Sequence, residues 1–145
     1  MKDNNMKEIN FWQDHSVKYL EMAFRSDKRG RMENPDGYGK KTGACGDTVE
    51  MFIEVDGNII RSVLYDIDGC LNTNACANAV VFMSEGRKVE NAWEEITPES
   101  VIEYLQTLPP EDAHCAELSV GALYLSLSNF HETRRSPWKK IYGGR

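Results

Sequence analysis

The chain has 145 residues, 41% of them hydrophobic and 28% charged, with a formal net charge of −6 at pH 7. That length fits one domain with a real core, and the composition is that of an ordinary soluble protein. The negative balance argues against nucleic acid, whose phosphates attract basic surfaces, and no apolar run approaches the roughly 20 residues of a membrane-spanning helix.

The polar start, Met1-Lys2-Asp3-Asn4-Asn5, lacks the apolar centre of a secretory signal. The protein is therefore expected in a reducing cytoplasm, where its four cysteines should bind metal or react rather than form disulfides. Residues 10–24 read as an amphipathic helix, with Asn10 as its cap and Gln13 placed for a capping-box bond. Trp12, Tyr19, Leu20, Ala23 and Phe24 supply its apolar side, and the polar run from Ser26 closes at Gly30. From Gly30 to Gly46 the density of glycine and proline reads as loop, through Asn34-Pro35-Asp36-Gly37-Tyr38-Gly39 and then Gly43. A strand pair follows. Val49, Met51, Ile53 and Val55 alternate with Thr48, Glu50, Phe52 and Glu54, and beyond Asp56-Gly57 a second strand covers 59–67. Gly69 breaks that strand and leaves Cys70 at its end.

Helices take over. Residues 73–86 place Cys76, Ala79, Val80 and Met83 on one stripe, so Cys76 reads as a small core hydrophobe. Residues 88–95 form a short helix bearing Trp93. Thr97 caps a helix over 98–107 with Pro98 at its first position, and Leu108-Pro109-Pro110 stops it. Asp112 can cap the last helix, 113–130, whose inward face is marked by Leu118, Ala122 and Leu125. The expected fold class is α+β: one domain, residues 1–131, with helices packed on a small antiparallel sheet. Residues 132–145 form a basic tail, with Arg134, Arg135, Lys139 and Lys140 around Pro137-Trp138.

Three thiols lie where loops meet regular elements: Cys45 with Gly43 and Gly46 about it, Cys70 after Gly69, and Cys115 in the first turn of the last helix. No CxxC pair occurs, which excludes a zinc ribbon and a thioredoxin-type redox pair. Glycine lets backbone approach a bulky ligand. A helix N-terminus favours negative charge, so the thiolate forms of Cys70 and Cys115 are expected to be favoured. Thiolates hold iron–sulfur clusters and also attack persulfide sulfur. Three of them leave a metal centre one ligand short. Asp47 can add an oxygen and His114 a nitrogen, the oxygen being the weak corner for iron.

These boxes carry a resemblance. Asn34-Pro35, Ala44-Cys45-Gly46-Asp47, the hairpin, Gly69-Cys70 and Leu108-Pro109-Pro110 before His114-Cys115 resemble the U-type iron–sulfur cluster assembly scaffold family, the group of IscU and the NifU N-terminal domain. The likeness runs from about residue 34 to 130. It implies the α+β fold and a platform role. Sulfur arrives from a cysteine desulfurase, iron is added, and a transient [2Fe–2S] cluster is built and passed to acceptor apo-proteins. It maps cluster ligation onto Cys45, Cys70 and Cys115, with Asp47 and His114 beside them, and sulfur acceptance onto the same three cysteines. Some relatives hold Zn2+ at this site and accept sulfur instead. The resemblance leaves two units open for holding the cluster, a monomer or a homodimer. Where the family's chaperone-recognition segment usually carries a lysine, this chain reads Glu111-Asp112-Ala113, which counts against an Hsp70-type chaperone partner. After Cys70, small residues are usual; Leu71-Asn72-Thr73-Asn74-Ala75-Cys76 is bulkier and adds a thiol.

Three readings follow. The first is a non-enzymatic scaffold for a [2Fe–2S] cluster. The second is a zinc-bound sulfur relay on the same ligands. The third, a small zinc hydrolase or deaminase, is disfavoured because neither H-E-x-x-H nor P-C-x-x-C is present.

Overall fold

The computed structural model describes residues 15–44 and 46–135. In chain order these form α1 (Val17–Phe24), β1 (Gly37–Thr42), β2 (Thr48–Asp56), β3 (Ile59–Asp68), α2 (Leu71–Ser84), α3 (Val89–Glu95), α4 (Pro98–Leu105) and α5 (Ala113–Arg135), with a 3-10 turn at Pro110–Asp112 before α5. The α+β class is as expected: helices packed on one small antiparallel sheet.

The sheet has three strands in the order β1-β2-β3, where the sequence suggested only a hairpin. Gly37–Thr42 is a strand, not loop. Its glycines hid it. A β-carbon at Gly39 would lie 2.4 Å from the Ala122 carbonyl oxygen, and one at Gly37 would lie 2.3 Å from that of Ser126. Glycine here lets the backbone of α5 press directly onto β1, a long-range need that looks locally like turn composition.

The β2–β3 hairpin sets the core. Val49, Met51, Ile53, Val63 and Tyr65 are fully buried, with Met51 opposite Tyr65 and Ile53 opposite Val63. α5 crosses this face over β1 and β2, and α2 packs between β3, α1, α4 and α5. Residues 75–81 of α2 are all buried, so the helix is enclosed on every side rather than along the single stripe the spacing suggested. Cys76, at 0% exposure, is the core residue expected. The other sheet face is covered by the chain before β1. The Arg31 guanidinium lies over the Phe52 ring and pairs with Glu50, while Gly30 N donates to Tyr65 O at 2.8 Å along the β3 edge.

The first helix is shorter than expected. Ser16 is extended and its Oγ accepts from Tyr19 N, which caps a helix starting at Val17. Asn10, Trp12 and Gln13, assigned to that helix from sequence, lie outside the described residues. At its far end the orphan carbonyls are met by α2: Asn78 Nδ2 donates to Met22 O and Asn74 Nδ2 to Ala23 O. Two apolar assignments fail: Phe24 is 54% exposed and Leu125 44% exposed. Thr97 and Pro98 open α4 as expected, with a capping box closed by Ser100. α5 runs on to Arg135, past the expected end at 130. Among the described residues no helix is long and apolar enough to cross a membrane.

Candidate metal centre

Sheet register gathers the site. Thr48 pairs with Thr42 on one side and with Asp68 on the other. The residues just beyond these pairs are therefore neighbours: Asp47 before β2, and Gly69-Cys70 after β3. The 43–47 loop is closed by Gly43 N donating to Asp47 O at 2.9 Å and Gly46 N to Gly43 O at 3.0 Å. Cys45 belongs to this loop and lies outside the described residues. Cys70 is the extended N-cap residue of α2. Cys115 sits in the first turn of α5, brought against α2 by the packing of those helices.

The outcome is convergence. Ligand atoms of Asp47, Cys70 and Cys115 all lie within 4.8 Å of one another. Three separate elements supply them, as the spacing of the motifs suggested. A residue the sequence reading did not single out stands among them. Thr73 Oγ1 donates to Asp47 Oδ2 at 2.9 Å and lies 3.6 Å from both the Cys70 and the Cys115 sulfurs. Its signal was present: Thr73 is three residues past Cys70, on the same face of the first turn. At Gly69 there is no room for a side chain, since a β-carbon would lie 2.9 Å from Thr73 Oγ1 and 3.0 Å from Asp47 Oδ2.

His114 is exposed, with Nε2 3.7 Å from the Cys115 sulfur. With Asp112 these two form a second group of convergent donors, again within 4.8 Å of one another. Asp112 was read only as a helix cap. Its carboxylate Oδ2 accepts from Asn72 Nδ2 at 2.9 Å, and Asn72 Oδ1 accepts from the Tyr19 hydroxyl. An open pocket of about 340 Å³, lined by Lys41, Gly43, Ala44, His114, Glu117 and Leu118, adjoins the site between the 43–47 loop and α5.

Protonation departs from expectation at one thiol. Cys70 is exposed, but Cys115 has 0% exposure. Burial pushes the Cys115 thiol up to about 11, with the Thr73 hydroxyl offsetting this only in part and Cys70, Asp112 and Asp47 adding to it. The helix N-terminus does not win at Cys115. Desolvation of a buried thiolate outweighs the helix dipole, and the trio is not all at an open rim. Cys76 is raised well above the ordinary thiol value by burial, which keeps it a neutral core residue.

The family model described as NifU-like N terminal domain matches residues 16–136. The chain belongs to this family. Among similar NifU-like proteins, iron–sulfur cluster assembly scaffold protein IscU 1 of Archaeoglobus fulgidus is 30% identical over 102 residues, 70% of this chain and 66% of that protein. The chain thus spans about two thirds of that relative's length. Iron–sulfur cluster assembly scaffold protein IscU of Aquifex aeolicus is 25% identical over 120 residues, 81% of this chain and 76% of its own. Among solved structures, a putative iron–sulfur cluster assembly scaffold protein for the SUF system from Fervidobacterium islandicum AW-1 superposes with a TM-score of 0.65 at 19% identity, covering 79% of this chain and 97% of that one. A NifU-like N-terminal protein from Brucella abortus gives 0.64 at 15% identity, covering 81% and 94%. At such identities these structures speak for the shared NifU-like fold.

Proposed function

We propose that this chain is a scaffold on which a transient [2Fe–2S] cluster is built and from which it is handed on. The observation that carries this is the meeting of Asp47, Cys70 and Cys115 within 4.8 Å, from three elements, beside the loop that bears Cys45. Membership of the NifU-like family supports it, as does the likeness to the iron–sulfur cluster assembly scaffold proteins of Archaeoglobus fulgidus and Aquifex aeolicus. The donors fit the cargo. Thiolates are the normal ligands of such clusters, and a carboxylate is a weak partner for cluster iron. Cys45, Cys70 and Cys115 grip the iron, Asp47 keeps one corner labile, and His114 stands by as an alternative donor.

Sulfur comes from a cysteine desulfurase. A scaffold thiolate attacks the terminal sulfur of the desulfurase persulfide; that S–S bond breaks, the desulfurase thiolate leaves, and a new persulfide stands on the scaffold. Cys70, exposed at the start of α2, is the open position among the described thiols. Conversion of sulfane sulfur to sulfide takes electrons from an external reductant. The chain itself turns nothing over; acceptor apo-proteins take the cluster. An Hsp70-type chaperone is left out of the scheme, because Glu111-Asp112-Ala113 precedes His114. The work is placed in a reducing cytoplasm.

The second reading, a zinc-bound sulfur relay, is favoured by the mixed oxygen, nitrogen and sulfur donors around Cys115, a set that zinc accepts. Anaerobic incubation with a desulfurase, cysteine, reductant and Fe2+ separates the two. The scaffold role requires visible sulfur-to-iron absorption with sulfide and iron bound in equal amounts. A colourless protein that keeps stoichiometric Zn2+ and gains only persulfide would overturn it in favour of the relay.

A further inference from the structure

Cys115 belongs to two groups of convergent donors. Asp47 and Cys70 complete one group with it, Asp112 and His114 the other. The second group comes from one continuous stretch, the 3-10 turn and the first turn of α5, so it forms independently of the 43–47 loop. Its carboxylate is held in place: Asp112 Oδ2 accepts from Asn72, which accepts in turn from the buried Tyr19. An ionised carboxylate has about four acceptor positions, so this bond orients Asp112 and leaves capacity for a cation. His114 stands at the solvent side and Cys115 at the buried side. Oxygen, nitrogen and sulfur from three residues suit Zn2+ or Fe2+ and leave a fourth position open.

We propose that Asp112, His114 and Cys115 form a second divalent-metal site, a loading position for Fe2+ that shares Cys115 with the cluster-holding set. The loading role rests on the scaffold reading; the metal site does not. Fe2+ enters past His114, takes the place of the Cys115 thiol proton, and is held while Cys70 stays free to receive sulfur. Exchange of Asp112 and His114 for Asp47 and Cys70 then carries the ion across without release of Cys115. The iron stays ferrous, and the proton goes to solvent.

The test uses Co2+ under anaerobic conditions, because its thiolate charge-transfer absorption reports sulfur ligation. In a full-length chain carrying Cys45→Ser, Asp47→Ala and Cys70→Ser, one equivalent should still bind, with one-thiolate absorption and a shifted His114 ring resonance. Adding Asp112→Asn should weaken binding by at least about tenfold, since even outer partners of metal ligands are worth that much. No binding in the folded variant overturns the proposal, as does an affinity unmoved by both Asp112→Asn and His114→Ala. If circular dichroism shows the variant unfolded, Asp47→Ala alone serves. Zn2+ at one equivalent should then shift the His114 ring, and Asp112→Asn should abolish the shift; a shift that survives overturns the site. Asp112-dependent Co2+ binding in the stripped variant, beside a wild type that accepts no cluster, would sink the scaffold reading and leave the metal site standing.

Discussion

The Thr73 hydroxyl has one proton and two lone pairs, and three site residues surround it. Donation to Asp47 uses the proton, and the lone pairs can accept from the Cys70 and Cys115 thiols. Thr73 thus links Asp47 and both sulfurs in the metal-free site. Thr73→Val should cost the metal-free protein roughly 1–3 kcal/mol, the penalty for stranding buried polar groups, in urea denaturation. Thr73→Ser should keep most of the stability; if it falls as far as the valine variant, methyl packing is the cause. Cys115 sets the pH behaviour. Its folded value of about 11 lies above the ordinary 9.0, so its stabilising contribution is complete below pH 9 and fades as pH rises toward 11. Metal must expel that proton, so Zn2+ affinity should climb from pH 7 to 9 by up to about tenfold per unit for this thiol. A flat profile in a chelator competition would refute this. The motifs bearing Asp47, Cys70 and Cys115 made the convergence of these three legible from sequence. The charge state of Cys115 was not, because its burial is decided by how α5 packs on the sheet and α2.

At the scale of elements, β1 and α5 decide where Cys115 sits. Gly39→Ala would drive a β-carbon to 2.4 Å from the Ala122 carbonyl, which is backbone and cannot turn aside. The cost should be at least about 2 kcal/mol by the usual penalty for overpacking, and metal affinity should fall with it as α5 shifts. Gly30→Ala is the contrast, since its β-carbon would meet only the Leu64 side chain at 3.8 Å. Denaturation of the two variants side by side checks this; equal losses would mean that the contact of α5 on β1 is not what glycine serves. The same contact explains what could be read and what could not. The Val49–Val55 alternation and the Thr97-Pro98 cap are local signals, and the hairpin and α4 followed from them. Gly37-Tyr38-Gly39 carries no local strand signal, because its glycines answer to a helix more than eighty residues away. Leu125, seven residues from Leu118 and three from Ala122 on α5, fits the helical period yet is 44% exposed.

Across the whole molecule, the sheet register and two helix starts meet at one end. α2 begins beside Cys70 and α5 beside Cys115. Their N-termini favour an anionic guest such as a thiolate-bound cluster, while Asp47 and Asp112 oppose negative charge and favour bare cations. In the proposed scaffold role, such a balance suits cargo that arrives as Fe2+ and departs as a cluster. Asp47→Ala should therefore slow cluster transfer to an acceptor apo-protein, followed by the visible spectrum of the recipient. Transfer as fast as in wild type would remove Asp47 from the release step. The most direct measurement is the iron and sulfide bound after anaerobic reconstitution of four single variants: Cys45→Ser, Cys70→Ser, Cys115→Ser and Cys76→Ser. A cluster gripped by the first three thiols requires each of those replacements to abolish or strongly deplete bound iron and sulfide, while Cys76→Ser, if folded, retains them. Full loading of any of the first three, or a loss confined to Cys76→Ser, would contradict the scaffold site described above.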